Sequence, residues 1–219
     1  MIKTYYKIED EVTVEELVSF ISHEKDFCWS NYANFTLNGY EFTLSRSDYN
    51  PLEDDSYAPK LLSFSKKYTY GVKELRNKEG ELINIIDECD DLDEVESWLE
   101  KNDYVYAPFE KYEHGLIAFR LLTDKYSNLT CRFDSCIGGY LVMKKSDLRE
   151  FRNVKKLTDK VLQKEFAYWN SLLGSFTNYI NGSQYEANIE GNGFYESYFA
   201  NSLEELCEFI LPFLNKQVV

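Results

Sequence analysis

Tyr32-Ala-Asn-Phe-Thr-Leu-Asn-Gly-Tyr-Glu-Phe-Thr-Leu-Ser-Arg46 is the stretch that decides the fold class. Polar and apolar residues alternate on both sides of Asn38-Gly39, and that dipeptide tolerates positive φ at both central positions of a type I′ turn. A hairpin is expected, with Phe35, Leu37, Phe42 and Leu44 pointing inward. The signal returns late in the chain, where Tyr185 to Glu190, Asn192-Gly193 and Phe194 to Phe199 read as a second hairpin.

Helical patterns surround the hairpins. Thr13-Val-Glu-Glu16 is a capping box ahead of the apolar face Val14, Leu17, Val18 and Ile21, so a first helix is expected over about 14 to 25. Ser202-Leu-Glu-Glu205 opens a last helix in the same way, and Pro212 is expected to limit or kink it. Leu162, Phe166, Trp169, Leu173, Phe176 and Ile180 keep one stripe along a long helix from Thr158, which Asn181-Gly182 stops. Leu92, Val95, Trp98 and Leu99 define another at about 91 to 101, with acids crowding the N-terminal turn that the helix dipole favours. A short helix is expected after Ser146, and strands near 61–68, 104–113, 116–122 and 139–143.

These elements neither alternate strictly nor segregate. The class is therefore α+β, a mixed or mostly antiparallel sheet with hairpins, packed with about four to five helices. A single domain over residues 1–219 is expected, with 78–90 as the place where it would subdivide.

With 219 residues and 44% apolar side chains the chain can bury a core without a metal or disulfide scaffold. Five cysteines, Cys28, Cys89, Cys131, Cys136 and Cys207, are scattered and never spaced C-x-x-C, so they read as reduced, mostly buried thiols. No stretch is long and apolar enough for a membrane span, and the start Met1-Ile-Lys-Thr-Tyr-Tyr-Lys lacks a signal-peptide core. A cytoplasmic protein without a membrane partner is expected.

The net charge is −14, from 38 acids and 24 bases, and it is patterned. Asp87, Glu88, Asp90, Asp91, Asp93, Glu94, Glu96 and Glu100 follow one another with no base between them. Seven acids and no base lie from Glu165 to Asn215. Between these stretches, residues 144–164 carry eight bases and three acids, read as an internal partner for the acidic runs or a docking face for an acidic surface. Direct nucleic-acid binding is disfavoured by the overall charge.

Catalytic patterns are missing. The chain has only His23 and His114 and contains no H-E-x-x-H, G-x-S-x-G, phosphate-cradling G-x-x-x-x-G-K-[ST] or helix-opening G-x-G-x-x-G. His23 sits in the last turn of a helix and His114 beside Glu113 at a turn, both common structural places. The polar loop Asp48, Asn50, Glu53, Asp54 and Asp55 offers oxygen ligands without the EF-hand pattern. Asp48, Glu53, His114 and Asp134 are the candidate metal ligands of an alternative reading, a small divalent-metal-dependent hydrolase or nuclease. No cofactor is called for.

Tyr112-Glu-His-Gly115, then Phe133-Asp-Ser-Cys-Ile-Gly-Gly-Tyr140 before a Lys-rich stretch, resembles a Tyr-Asp-His-Ser-Gly and Trp-Asp-Ser-Gly-Gln-Val-Gly pattern. That pattern belongs to small uncharacterised proteins of bacteriophages and conjugative elements of Gram-positive bacteria. The loop Asp48-Tyr-Asn-Pro51 with Glu53 and Asp54, and the hairpin from Tyr185 to Tyr198, agree in order. Gly115 stands where the pattern has serine, Cys136-Ile137 where it has Gly-Gln, and Asn192-Gly-Phe194 lacks its Cys-Trp. The resemblance implies a mobile-element origin and residence in a bacterial host. Acidic proteins of such elements include antirestriction and anti-CRISPR inhibitors. The expected function is thus non-catalytic: inhibition of a host defence nuclease or restriction complex through Asp87, Glu88, Asp90, Asp91, Asp93, Glu94 and Glu96. A further alternative is a regulatory or assembly module that binds another phage protein.

Overall fold

In a computed structural model of the chain, residues 4–5, 13–23, 32–37, 39–67, 70–191 and 193–215 are described. The first part of the chain forms β1 (Thr4–Tyr5), α1 (Val14–His23), β2 (Tyr32–Leu37), β3 (Tyr40–Arg46), β4 (Lys60–Ser63), β5 (Glu74–Arg76) and β6 (Leu82–Asn84). There follow α2 (Ile85–Glu88), α3 (Leu92–Lys101), β7 (Tyr104–His114), β8 (Leu116–Leu121), β9 (Ser135–Lys144) and α4 (Lys145–Phe151). The chain ends with α5 (Asp159–Ile180), β10 (Tyr185–Gly191), β11 (Phe194–Ala200) and α6 (Leu203–Asn215). The α+β class and its mostly antiparallel sheets are as expected. One more helix forms than was read from the sequence, because residues 78–90, read as a loop and place of subdivision, carry β6 and α2, with β5 paired to β6 from just ahead of them.

The chain separates into two compact units, residues 1–49 with 178–219, and residues 50–177. Residues 78–90 lie inside the second unit.

In the first unit the two hairpins join side by side. The sheet order is β1-β2-β3-β10-β11, with β1 parallel to β2 and the other pairs antiparallel. Gly39 and Gly193 take φ of +81° and +77°, the left-handed conformation that a tight hairpin turn demands and a side chain resists. Alternation puts Phe42, Leu44, Ala187, Ile189 and Ala200 on one face, where α1 covers them with Leu17 and Ile21 and α6 with Leu206, Cys207 and Ile210. Each large apolar side chain sealed there contributes about 1.5–3 kcal/mol. The side chains of Phe35, Leu37 and His23 lie outside the described residues.

The first capping box forms in full, and at the last helix Ser202 caps while the return bond goes to the residue before it. Thr13 N donates to Glu16 Oε2 at 2.9 Å and Glu16 N to Thr13 Oγ1 at 3.2 Å. At α6, Glu205 N donates to Ser202 Oγ at 3.1 Å, while the Glu205 carboxylate takes the Asn201 amide at 2.8 Å. The helix runs on through Pro212 to Asn215. α5 ends in a Schellman motif, with Ser183 N on Asn178 O at 2.8 Å and Gly182 N on Tyr179 O at 3.0 Å.

The second unit is built on an antiparallel sheet ordered β4-β9-β7-β8. Leu62, Tyr104, Tyr140 and Val142 pack with Leu75, Ile85 of α2, and Val95 and Leu99 of α3. Phe119 packs on Phe109 at 5.7 Å and on Phe176 of α5 at 5.5 Å between ring centroids. Side chains of α5 also close the β8 edge. Phe119 N donates to Thr177 Oγ1 and Leu121 N to Asn170 Oδ1, each at 3.1 Å. Beyond β4, Val72 N donates to Leu61 O at 2.8 Å and Ser63 N to Val72 O at 3.0 Å. Among the described residues no helix is long and apolar enough to cross a membrane.

Candidate functional site

The acidic run is shaped by two helix starts. Asn84 caps α2 by accepting from Ile86 N at 3.1 Å, and its amide donates to Asp87 Oδ2 at 2.7 Å. Asp91 caps α3, accepting from Glu94 N at 2.9 Å, and Glu94 Oε2 reaches back to Asp90 N at 2.8 Å. Two carboxylates thereby satisfy amides that a helix start leaves without partners. Asp91 is helix N-terminal charge, as its position in the sequence suggested. Asp87, Glu88, Asp90, Asp91, Asp93 and Glu94 are exposed at the surface of this turn. Their closeness registers on Cys89, whose thiol is raised by burial and then by the carboxylates of Glu94, Glu88, Asp90 and Asp91.

The other side of α3 corrects the sequence reading. The run has no base in sequence, yet Lys125 from the β8–β9 connection inserts its ammonium between Asp93 and Glu96, at 2.8 Å from Glu96 Oε2. Its side chain is 8% exposed, and the contact with Asp93, then that with Glu96, raises its pKa. Glu96 also accepts from Tyr140 Oη at 2.9 Å, and Glu100 from Tyr106 Oη at 2.8 Å. Glu96 and Glu100 therefore hold α3 against the sheet, and the exposed carboxylates concentrate at residues 87–94.

Two buried carboxylates escaped the sequence reading. Glu110 on β7 is 1% exposed and collects Arg120 Nη2 at 2.6 Å, Arg120 Nε at 2.9 Å, Thr130 N at 2.5 Å and Thr130 Oγ1 at 2.9 Å. Burial pushes its pKa up, but hydrogen bonds from Ser135, the Thr130 amide, Arg120 and the Thr130 hydroxyl outweigh that and hold it below the ordinary carboxylate range. It pins the β8–β9 connection, which carries Lys125, onto the sheet. Glu165 on α5 is fully buried, accepting from Arg152 Nε at 2.5 Å and Trp169 Nε1 at 2.7 Å. An acid inside the run Ala107-Pro-Phe-Glu110, and another three residues after Leu162 and four before Trp169 on an apolar stripe, were the available signals.

The motif around His114 comes together only in part. His114 Nδ1 lies 3.4 Å from Asp134 Oδ2, Glu113 N donates to Asp134 O at 2.9 Å, and Lys111 reaches Glu113 at 2.8 Å. Asp48 belongs to the first unit, and Glu53, His114 and Asp134 to the second. Among the described residues no three His, Cys, Asp or Glu side chains gather in a way that could hold a metal ion, so the four proposed ligands do not form the expected set. In the loop Asp48 to Asp55, Asp54 caps the Asn50 amide at 2.7 Å and Asp55 accepts from Tyr168 Oη at 2.5 Å. These oxygens are committed to turn geometry. Beside the loop lies a cleft of about 330 Å³ with Leu61, Val72 and Phe176 among its walls and Glu53 and Asp55 among its lining groups.

The thiols are less buried than expected. Cys207 is buried and raised to about 12 by that burial, whereas Cys89 and Cys131 are half-buried and Cys136 is exposed. Cys131 Sγ donates to Asp134 Oδ2 at 3.4 Å. In the basic segment, Arg152 turns inward to Glu165 and Lys144 Nζ donates to Asn102 O at 2.8 Å, while Arg149, Lys155, Lys156, Lys160 and Lys164 are exposed.

No family model matches this chain, and neither a curated protein nor a solved structure matches it significantly.

Proposed function

We propose that the protein works by binding rather than by catalysis, presenting the carboxylates of the α2–α3 turn to a basic surface of a protein partner. Within the mobile-element origin that the sequence resemblance implies, the fitting partner is a host defence nuclease or restriction complex, and binding inhibits it. The observation that supports this reading is the gathering of the exposed carboxylates of Glu88, Asp90, Asp91 and Glu94 around Cys89 at the start of α3. A dense negative surface accelerates encounter with a basic one and adds specificity. Lys125 between Asp93 and Glu96 interrupts the row of charge, which favours a patch fitted to one protein face over imitation of a phosphate backbone.

Affinity capture from host lysate with mass spectrometry tests it. Wild-type chain should retain a component of a defence complex, with retention falling as salt rises. The combined change Asp87→Lys, Glu88→Lys and Asp90→Lys should lose that component while the far-ultraviolet spectrum stays unchanged. Equal recovery by wild type and variant would remove the acidic turn from the interface, and recovery of no defence component would end the reading.

A further inference from the structure

The edge of the five-stranded sheet points to a partner that the acidic turn does not address. β10 and β11 are joined by a two-residue loop, and Gly191 pairs with Phe194 at its base. In such a hairpin the closing pair exchanges hydrogen bonds, and every second pair along the ladder does the same. Glu196, Tyr198 and Ala200 thus bond to β10, and the backbone N–H and C=O groups of Tyr195, Ser197 and Phe199 point away from the sheet. Among the described residues nothing hydrogen-bonds these outward groups.

Natural sheets guard an edge of this length with lysine, proline, a bulge, a short strand or a cover. The second unit does so: α5 side chains cap β8, and Val72 covers β4. Among the described residues β11 has none of these. It is seven residues long, its register with β10 is unbroken from Tyr185↔Ala200 to Gly191↔Phe194, and it lies in the base-free stretch without Lys, Arg or Pro. Tyr195 and Phe199, on the same strand face as Ser197, are 67% and 52% exposed.

We propose that β11 pairs antiparallel with β11 of a second copy of this chain, about a twofold axis at Ser197, joining the two sheets into one. The strand is self-complementary in that register. Ser197 faces itself across the axis, and Tyr195 faces Phe199 of the partner subunit, so all three outward residues of each strand meet outward groups. Aromatic side chains then stand opposite one another, an arrangement that stabilises antiparallel pairs. Glu196 falls opposite Tyr198, whereas an axis at Glu196 would set like charges face to face. Twofold pairing is the commonest form of self-association. Each chain carries −14, so the two copies repel over distance and salt should strengthen their association, the opposite of the salt response expected for docking on a basic partner.

Sedimentation velocity on the full chain, over a concentration series up to submillimolar protein and at low and high salt, tests this. A reversible monomer–dimer equilibrium that shifts toward dimer in high salt is expected. Ser197→Pro removes the amide on the axis, which β10 does not use, so the monomer should keep its circular dichroism and melting temperature while association weakens at least about tenfold. Tyr195→Lys keeps every amide and supplies the missing edge lysine; it should also yield monomer, and it decides the matter if the proline variant misfolds. A wild-type chain that stays monomeric throughout would overturn the proposal. So would a dimer that both folded variants leave intact.

Discussion

The two sheets of this protein finish their edges in opposite ways. In the second unit, Thr177 and Asn170 reach from α5 to the outward amides of β8, and Val72 adds hydrogen bonds beyond β4. Its buried carboxylates are equally committed, Glu110 to Arg120 and Thr130, and Glu165 to Arg152 and Trp169. In the first unit β11 ends the sheet with no bond to its outward groups among the described residues, and with Tyr195 and Phe199 more than half exposed. An unpaired strand edge is a template for another strand, so a sheet that leaves one uncovered has either a partner or an aggregation hazard. What differs between the units, among the described residues, is thus whether the backbone polarity of a sheet edge meets a bonding partner.

Removing an internal partner should cost most. Glu110→Gln strips the charge from a buried carboxylate that holds Arg120 and Thr130, and because the Arg120 side chain is 52% exposed the cost falls at the low end of that for breaking a buried pair, about 3 kcal/mol, readable as a lower urea midpoint. The same carboxylate sets a pH dependence. Its folded pKa lies below the ordinary range, so its contribution is fully present above the unfolded pKa and is lost as pH falls through the folded value. An acid titration of stability should therefore be shallower in Glu110→Gln than in wild type.

A smaller effect is expected at the covered edge. Thr177→Val keeps the shape of the side chain and leaves the Phe119 amide without its acceptor, at a cost of about 1–3 kcal/mol by denaturant unfolding. The smallest belongs to the open edge. Tyr195→Lys should change monomer stability by no more than about 0.5 kcal/mol, because the side chain is mostly in solvent and its hydroxyl makes only long, exposed hydrogen bonds to Asn188 and Ser197. Hydrogen exchange sharpens the contrast: the Phe119 and Leu121 amides should be protected at any concentration. Those of Tyr195, Ser197 and Phe199 should become protected only as protein concentration rises.

Local signals were legible wherever one residue type forces one conformation. Asn38-Gly39 and Asn192-Gly193 marked both hairpins, Thr13 to Glu16 marked a helix start, and Asn181-Gly182 marked a helix end, because caps and tight turns are settled by neighbours in the chain. β5, β6 and α2 were missed since elements of three or four residues carry too few periods for a pattern and are held by the core that Leu75 and Ile85 enter. The acidic run was legible as a string of charges, and its start as helix N-terminal charge; that Asp91 caps the helix was not. That Lys125 comes from more than twenty residues beyond it to neutralise Asp93 and Glu96 was not.

By itself, then, the sequence determined the class, the places where the chain turns and the total charge, all of which depend on residue identity and on spacing along the chain. Tertiary structure alone decided which acids face solvent and which are spent on Lys125, Tyr106, Tyr140, Arg120 and Arg152. Among the described residues it also gathers no three potential metal ligands, and it gives the β8 edge, but not the β11 edge, partners for its outward amides. The reason is physical: hydrogen bonds and ion pairs are satisfied in space, between residues whose separation along the chain carries no record of their meeting.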